Sequence, residues 1–101
     1  MATQDNKSAG KVLAVLDVLL RNFAHGFSPG ELAKETGFSA SDITRYVGTL
    51  ESAGFAERIT ETGRIRPSHR LGQRALQILN SLNEAESRIQ TSINRITRVE
   101  K

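Results

Sequence analysis

Residues 28–54 read SPGELAKETGFSASDITRYVGTLESAG, and their punctuation constrains the fold more than any other stretch. Ser28 opens a helix as its N-cap. Pro29 suits the first turn, where no amide donor is needed, and Glu31, three after Ser28, completes a capping box. Leu32 and Ala33 face inward. Gly37 stops this helix and makes a turn, and Phe38 is placed to plug the core. Ser39 opens the next helix, with Asp42 near its positive terminus. At about 100° per residue, Ile43, Tyr46, Val47 and Leu50 share one side. The opposite side is centred on Ser41, Arg45, Gly48 and Ser52, flanked by Thr44 and Thr49. Gly54 ends the helix. A helix, a glycine turn and a second helix at this spacing form a helix-turn-helix.

The flanking segments complete the architecture. Val12, Val15, Leu16, Leu19, Leu20 and Phe23 recur at three- and four-residue intervals, which predicts a helix from Lys11 to Phe23 with one broad apolar face. Ser8 is its expected cap, and Gly26 is free to turn the chain in the left-handed conformation. Phe55 to Thr60 alternates, and Arg64 to Arg66 follows a turn at Glu61-Thr62-Gly63. This predicts a hairpin, or wing, over 55–67, closed by Pro67. Leu71 to about Val99 reads as one long helix. Its apolar stripe is broad as far as Leu82 and then narrows towards a coiled-coil seam carrying Leu82, Ile89, Ile93 and Ile96. One register puts Glu86 in the seam and the other puts Ser92 there. The fold class expected is mainly α with a small β-hairpin: a winged helix-turn-helix followed by a long helix. The domain plan is a leader at 1–7, a winged domain at 8–70 and a dimerisation helix at 71–101, pairing two copies as a homodimer.

Composition narrows the function classes. At 101 residues the chain fits one small domain. With no cysteine, disulfides, thiolate metal sites and cysteine nucleophiles are excluded, which suits a reducing cytosol. No apolar run reaches the length of a membrane span, and the polar N-terminus lacks the apolar core of a signal peptide. His25 and His69 have no ligand-spaced partners, so no metal site is expected. No nucleophile elbow, phosphate loop or acid pair is present, so neither catalysis nor a cofactor is expected.

Charge points to duplex DNA. From Arg58 to Arg74 there are five arginines (58, 64, 66, 70 and 74) against Glu61 alone. That balance of +4 exceeds the net +3 of the whole chain. Wing arginines of this kind, Arg58, Arg64 and Arg66, reach phosphates or a narrow minor groove. The recognition helix, 39–53, is expected in the major groove. Arg45 is the only long cation on its outward stripe, suited to a guanine edge or a phosphate. Its bland alternative is a surface arginine paired with Asp42 or Glu51. Ser41, Thr44 and Thr49 are candidate phosphate or base contacts. Gly48 costs about 1 kcal/mol against alanine in mid-helix, and close approach of a duplex would account for it. Ser28 and Ser39 are caps first and phosphate contacts second.

The stretches SAGKVLAVLDVLL, GFSPGELAKETGFSASDITRYVGTLESAGFAER and RLGQRALQI resemble the N-terminal DNA-binding domain of the IclR family of bacterial transcription regulators. The resemblance covers roughly residues 8–79. It implies sequence-specific binding of double-stranded DNA and transcriptional regulation in the bacterial cytoplasm, at the nucleoid. Ser41 and Arg45 match the family's recognition helix. The basic residue usual at position 40 is replaced by Ala40, and Asp42 adds a negative charge. Pro67 and Ser68 interrupt the family's compact wing ending. Because the chain stops at Lys101, no small-molecule effector domain is expected. One competing reading is a winged-helix protein-interaction module, an adaptor or antagonist acting through the C-terminal helix; another makes the chain a DNA-binding fragment of a longer regulator.

Overall fold

In a computed structural model of the chain, which describes residues 6–98, the elements run α1 (Lys7–Leu19), α2 (Pro29–Thr36), α3 (Ala40–Ser52), β1 (Ala56–Arg58), β2 (Ile65–Pro67) and α4 (His69–Thr97). The expected fold class is present: three helices, a two-stranded antiparallel hairpin and a long final helix. Residues 1–5 of the expected leader and 99–101 at the end of the expected long helix lie outside the described residues. The chain divides into two units, one ending at Leu71 and one beginning at Gly72.

α2 and α3 form where their caps direct. Ser28 Oγ accepts from the Glu31 amide (3.1 Å) and Glu31 Oε1 accepts from the Ser28 amide (3.0 Å), which is the reciprocal capping box. Gly37 ends α2 in the left-handed region at φ 77°. Ser39 Oγ accepts from the Asp42 amide at 3.1 Å and starts α3. α3 buries Ile43, Tyr46, Val47 and Leu50, the face its periodicity defines. These pack with Val15, Val18, Leu19, Leu32, Ala56 and Ile65 into one core.

Three expectations shift. α1 begins at Lys7 rather than Lys11, because Asn6, not Ser8, is its cap: Asn6 Oδ1 accepts from the Ala9 amide at 3.0 Å. α1 also ends at Leu19 rather than Phe23. Tightened bonds from the Arg21 amide to Val18 O and from Asn22 to Leu19 O turn the chain early. Leu20 and Phe23 are therefore exposed, and Val18 takes the core position instead. α4 begins at His69 rather than Leu71, because Ser68 caps it: its Oγ accepts from the Leu71 amide at 3.3 Å and donates to Gly54 O at 2.7 Å.

The hairpin pairs Ala56 with Pro67, Glu57 with Arg66 and Arg58 with Ile65. A third backbone segment joins it at one residue. Phe27 and Ile65 exchange amide–carbonyl bonds of 2.7 and 2.8 Å. This bridge ties the turn before α2 to the wing. Gly26 beside it has φ 68°, and a Cβ there would stand 2.2 Å from Ile65 O, so only glycine fits.

Candidate nucleic-acid interface

The outward face of α3 is free of the core. Ser41, Thr44, Arg45, Thr49 and Ser52 are exposed, and Gly48 lies among them with open space where a Cβ would point. The fold thus brings the recognition-helix candidates onto one surface. Their hydrogen-bonding groups differ in availability. Thr44 Oγ1 donates to Ala40 O and Thr49 Oγ1 donates to Arg45 O, both at 3.1 Å. Those hydroxyl protons are occupied by the helix itself. Ser28 and Ser39 accept through their oxygens as caps, and Ser39 and Ser41 lie 3.3 Å apart with one proton shared between them. Serine hydroxyl donors therefore remain at the starts of both α2 and α3.

Arg45 is engaged on its own helix. Its Nη2 donates to Asp42 Oδ1 at 2.8 Å and to Tyr46 Oη at 3.3 Å, and its guanidinium lies 5.0 Å from the centre of the Tyr46 ring. With 64% of the side chain exposed, it still presents donors outward.

The wing arginines are more deeply committed. Arg64 donates from Nε to His25 O (3.1 Å), and from Nη2 to Gly26 O (2.9 Å) and Glu31 Oε1 (2.7 Å). It clamps the wing to the turn and capping box of α2. Arg66 donates to Glu57 Oε2 at 2.9 Å and is largely covered. Arg58 pairs more loosely with Glu51 at 3.6 Å.

Two carboxylates anchor this surface. The Ser28 amide hydrogen bond holds the Glu31 pKa below its ordinary value against a small desolvation effect, with Arg64 adding to the lowering. Burial works against the charge of Glu57. Hydrogen bonds from His69 and Arg66 outweigh it and keep that pKa low as well. Glu57 also accepts from the His69 amide at 3.2 Å and so supports the first turn of α4.

Ser68 and Arg70 have structural roles beyond those their place in the sequence suggests. Arg70 donates to Ala53 O at 3.1 Å and lies 5.1 Å from the Phe55 ring centre, covering the end of α3. The serine directly before a helical pattern was the available signal for Ser68. Nothing local marks Arg70, whose partners lie 15 and 17 residues away. The seam candidates Leu82, Ile89, Ile93 and Ile96 are 45–81% exposed in the single chain. Among the described residues, no helix is long and apolar enough to cross a membrane.

Three helices, a capped and outward-facing third helix and a hairpin bonded to the second define a winged helix-turn-helix domain. Residues 8–59, just over half of the chain, match the IclR helix-turn-helix domain. The chain belongs to the IclR family, and this domain is of the DNA-binding kind found in transcription regulators. The crystal structure of HmgR from Pseudomonas aeruginosa is similar, with a TM-score of 0.66 and 26% identity over 75% of this chain. This chain spans 31% of the HmgR chain, about a third of its length. No curated protein matches the chain.

Proposed function

We propose that the chain binds specific double-stranded DNA sequences and regulates transcription as a homodimer. In this reading residues 39–53 enter the major groove and the wing at 55–67 lies against the flanking backbone or minor groove. The α4 helices pair two copies through Leu82, Ile89, Ile93 and Ile96. The observation that carries it is the outward stripe of α3. It is a capped helix with four core residues on one side and Ser41, Arg45, Gly48 and Thr49 left uncovered on the other. Arg45 exchanges its Asp42 contact for a base edge or phosphate on docking. Ser28, Ser39 and Ser41 donate to phosphates. Thr44 and Thr49 act by van der Waals contact or after rotation of their hydroxyls. Arg58 is the wing cation with the weakest internal commitment, so it reaches the backbone first. Arg64 and Arg66 position the wing while adding to its positive field.

The test is fluorescence anisotropy with mixed-sequence duplex DNA at low and moderate salt. Micromolar or tighter binding that weakens steeply with salt, and weakens further in Arg45→Ala, is expected. Operator selection would follow.

The pairing of Arg45, Arg58, Arg64 and Arg66 with carboxylates favours a second reading, a protein-interaction module working through α4. An absence of duplex binding at low salt would favour it over the first.

A further inference from the structure

The arginines named individually for DNA contacts each have an internal counter-charge: Arg45 with Asp42, Arg58 with Glu51, Arg64 with Glu31 and Arg66 with Glu57. Arg70 and Arg74 of the same basic stretch lack a carboxylate partner among the described residues but donate to Ala53 O and Gln77 Oε1. A paired guanidinium brings its carboxylate to the phosphates, so its net contribution to counterion release is reduced. Cations without such a partner matter more. In α1, Lys7 and Lys11 are exposed, and neither pairs with a carboxylate among the described residues. The first turn of α1 carries no acidic residue.

The position of Lys11 is set by packing, and Lys7 stands one turn before it on the same helix. Lys11 Nζ lies 5.8 Å from the centre of the Phe38 ring. Phe38 meets Tyr46 edge-to-face, with ring centres 5.7 Å apart and planes at 75°. On Tyr46 lies Arg45, at 5.0 Å. Lys11, Phe38, Tyr46 and Arg45 therefore form one row, with a cation at each end of an aromatic pair rooted in the core. A shallow groove beside this row is lined by the cap Asn6, by Ser8, Ala9 and Val12 of α1 and by Arg45, Tyr46 and Thr49 of α3. The start of α1 thus borders the outward stripe along its Arg45–Thr49 edge. Lys34 makes a contrast, since it lines a different cleft together with Glu31 and Glu35.

We infer that Lys7 and Lys11 form a phosphate-binding edge of the DNA surface. They hold the strand that passes beside α1 while α3 occupies the major groove. The inference rests on the DNA-binding reading above and names which cations supply its electrostatic part. Anchoring over Phe38 limits the freedom of the Lys11 chain, so less entropy is lost when it meets a phosphate.

The experiment is duplex binding by the full 101-residue chain across a salt series, for wild type, Lys7→Gln with Lys11→Gln, Lys11→Arg and Lys34→Gln. Each phosphate contact contributes about 0.9 to the slope of log affinity against log salt. The double variant is expected to lower that slope by roughly 1 to 2 and to weaken binding about tenfold or more at low salt. Lys11→Arg should keep the wild-type slope, and Lys34→Gln should match wild type. Thermal melting should be unchanged for Lys11→Arg and Lys34→Gln and only slightly lowered in the double variant, which loses the exposed contact of Lys11 with Phe38. A double variant with an unchanged slope beside a wild type that binds would overturn the phosphate edge and leave the DNA-binding reading standing. An equal loss in Lys34→Gln would also overturn it, because a general charge effect would then suffice. A wild type that fails to bind at low salt would remove both.

Discussion

Arg64 donates to two backbone carbonyls and one carboxylate, all on the turn and first helical residues around α2. Those acceptors lose their partner in Arg64→Ala. The Glu31 contact is half exposed and contributes little. The carbonyl bonds, made by a charged donor and partly covered, carry most of the loss, about 1–2 kcal/mol. Urea denaturation should therefore show a lowered midpoint for Arg64→Ala, and any loss of DNA binding in that variant would partly reflect a loosened wing. Arg45→Ala should leave the midpoint within about 0.5 kcal/mol, as an exposed i,i+3 pair is worth little. The two carboxylates add a pH dependence. Folding lowers the pKa of both Glu31 and Glu57 from the usual 4.5, so their stabilisation is fully present above that pH. It is lost as pH falls through the lower folded values. Below about pH 4.5 the denaturation midpoint should drop, and Glu57→Gln should drop less steeply than wild type. An identical slope in the two proteins would show that Glu57 is not a contributor. The positive charge of the wing was legible from residue order alone. Its neutralisation was legible only for Arg45, whose partner sits three residues away on the same helix. The partners of Arg58, Arg64 and Arg66 depend on strand register and on the Phe27–Ile65 bridge, which periodicity does not encode.

Gly26 and Gly48 behave oppositely at the level of elements. Gly26 is required by the fold, since a Cβ there would meet Ile65 O at 2.2 Å in a left-handed backbone. Gly26→Ala should unlatch the wing from α2 and lower stability severely. Gly48 has nothing within 4 Å of a notional Cβ and no positive φ. Gly48→Ala should raise stability by about 1 kcal/mol through helix propensity. If a duplex seats against that surface, the same variant should bind DNA more weakly despite being more stable. Thermal melting and anisotropy on one preparation separate the two effects, and unchanged affinity would mean that the glycine is not needed for close approach. α2 and α3 were readable almost residue by residue, because each carries its own starting cap and a glycine or core pattern that ends it. The boundaries of α1 and α4 depart from their apolar patterns for a physical reason. Asn6 sits six residues, more than one and a half turns, ahead of Val12, where the apolar pattern of α1 begins. Ser68 acts as a cap while also bonded to Gly54, a contact that links residues 14 apart. Its local half was legible in principle; its long-range half was not.

For the whole molecule, the 29 residues of α4 give a helix about 43 Å long at 1.5 Å per residue. None of its residues is buried in the single chain. Leu82, Ile89 and Ile96 are each more than 60% exposed, and Ile93 is 45% exposed. In the proposed homodimer this uncovered stripe meets a partner helix, and a second copy would supply an identical stripe at the same concentration. Sedimentation at micromolar concentration should therefore give a dimer. Ile89→Asp with Ile93→Asp should give a monomer whose winged domain keeps its core, because the core lies wholly before Leu71. DNA affinity for a two-fold site should then fall to that of a single half-site. The two seam registers make different predictions. Glu86→Leu should tighten the dimer if Glu86 lies in the seam, whereas Ser92→Leu should do so if Ser92 does. A polar seam residue lowers stability while fixing register, so only the substitution at the true seam position should raise the dimer's melting temperature. A wild-type chain that remains monomeric throughout that range would rule out self-pairing and make a different protein the occupant of the stripe.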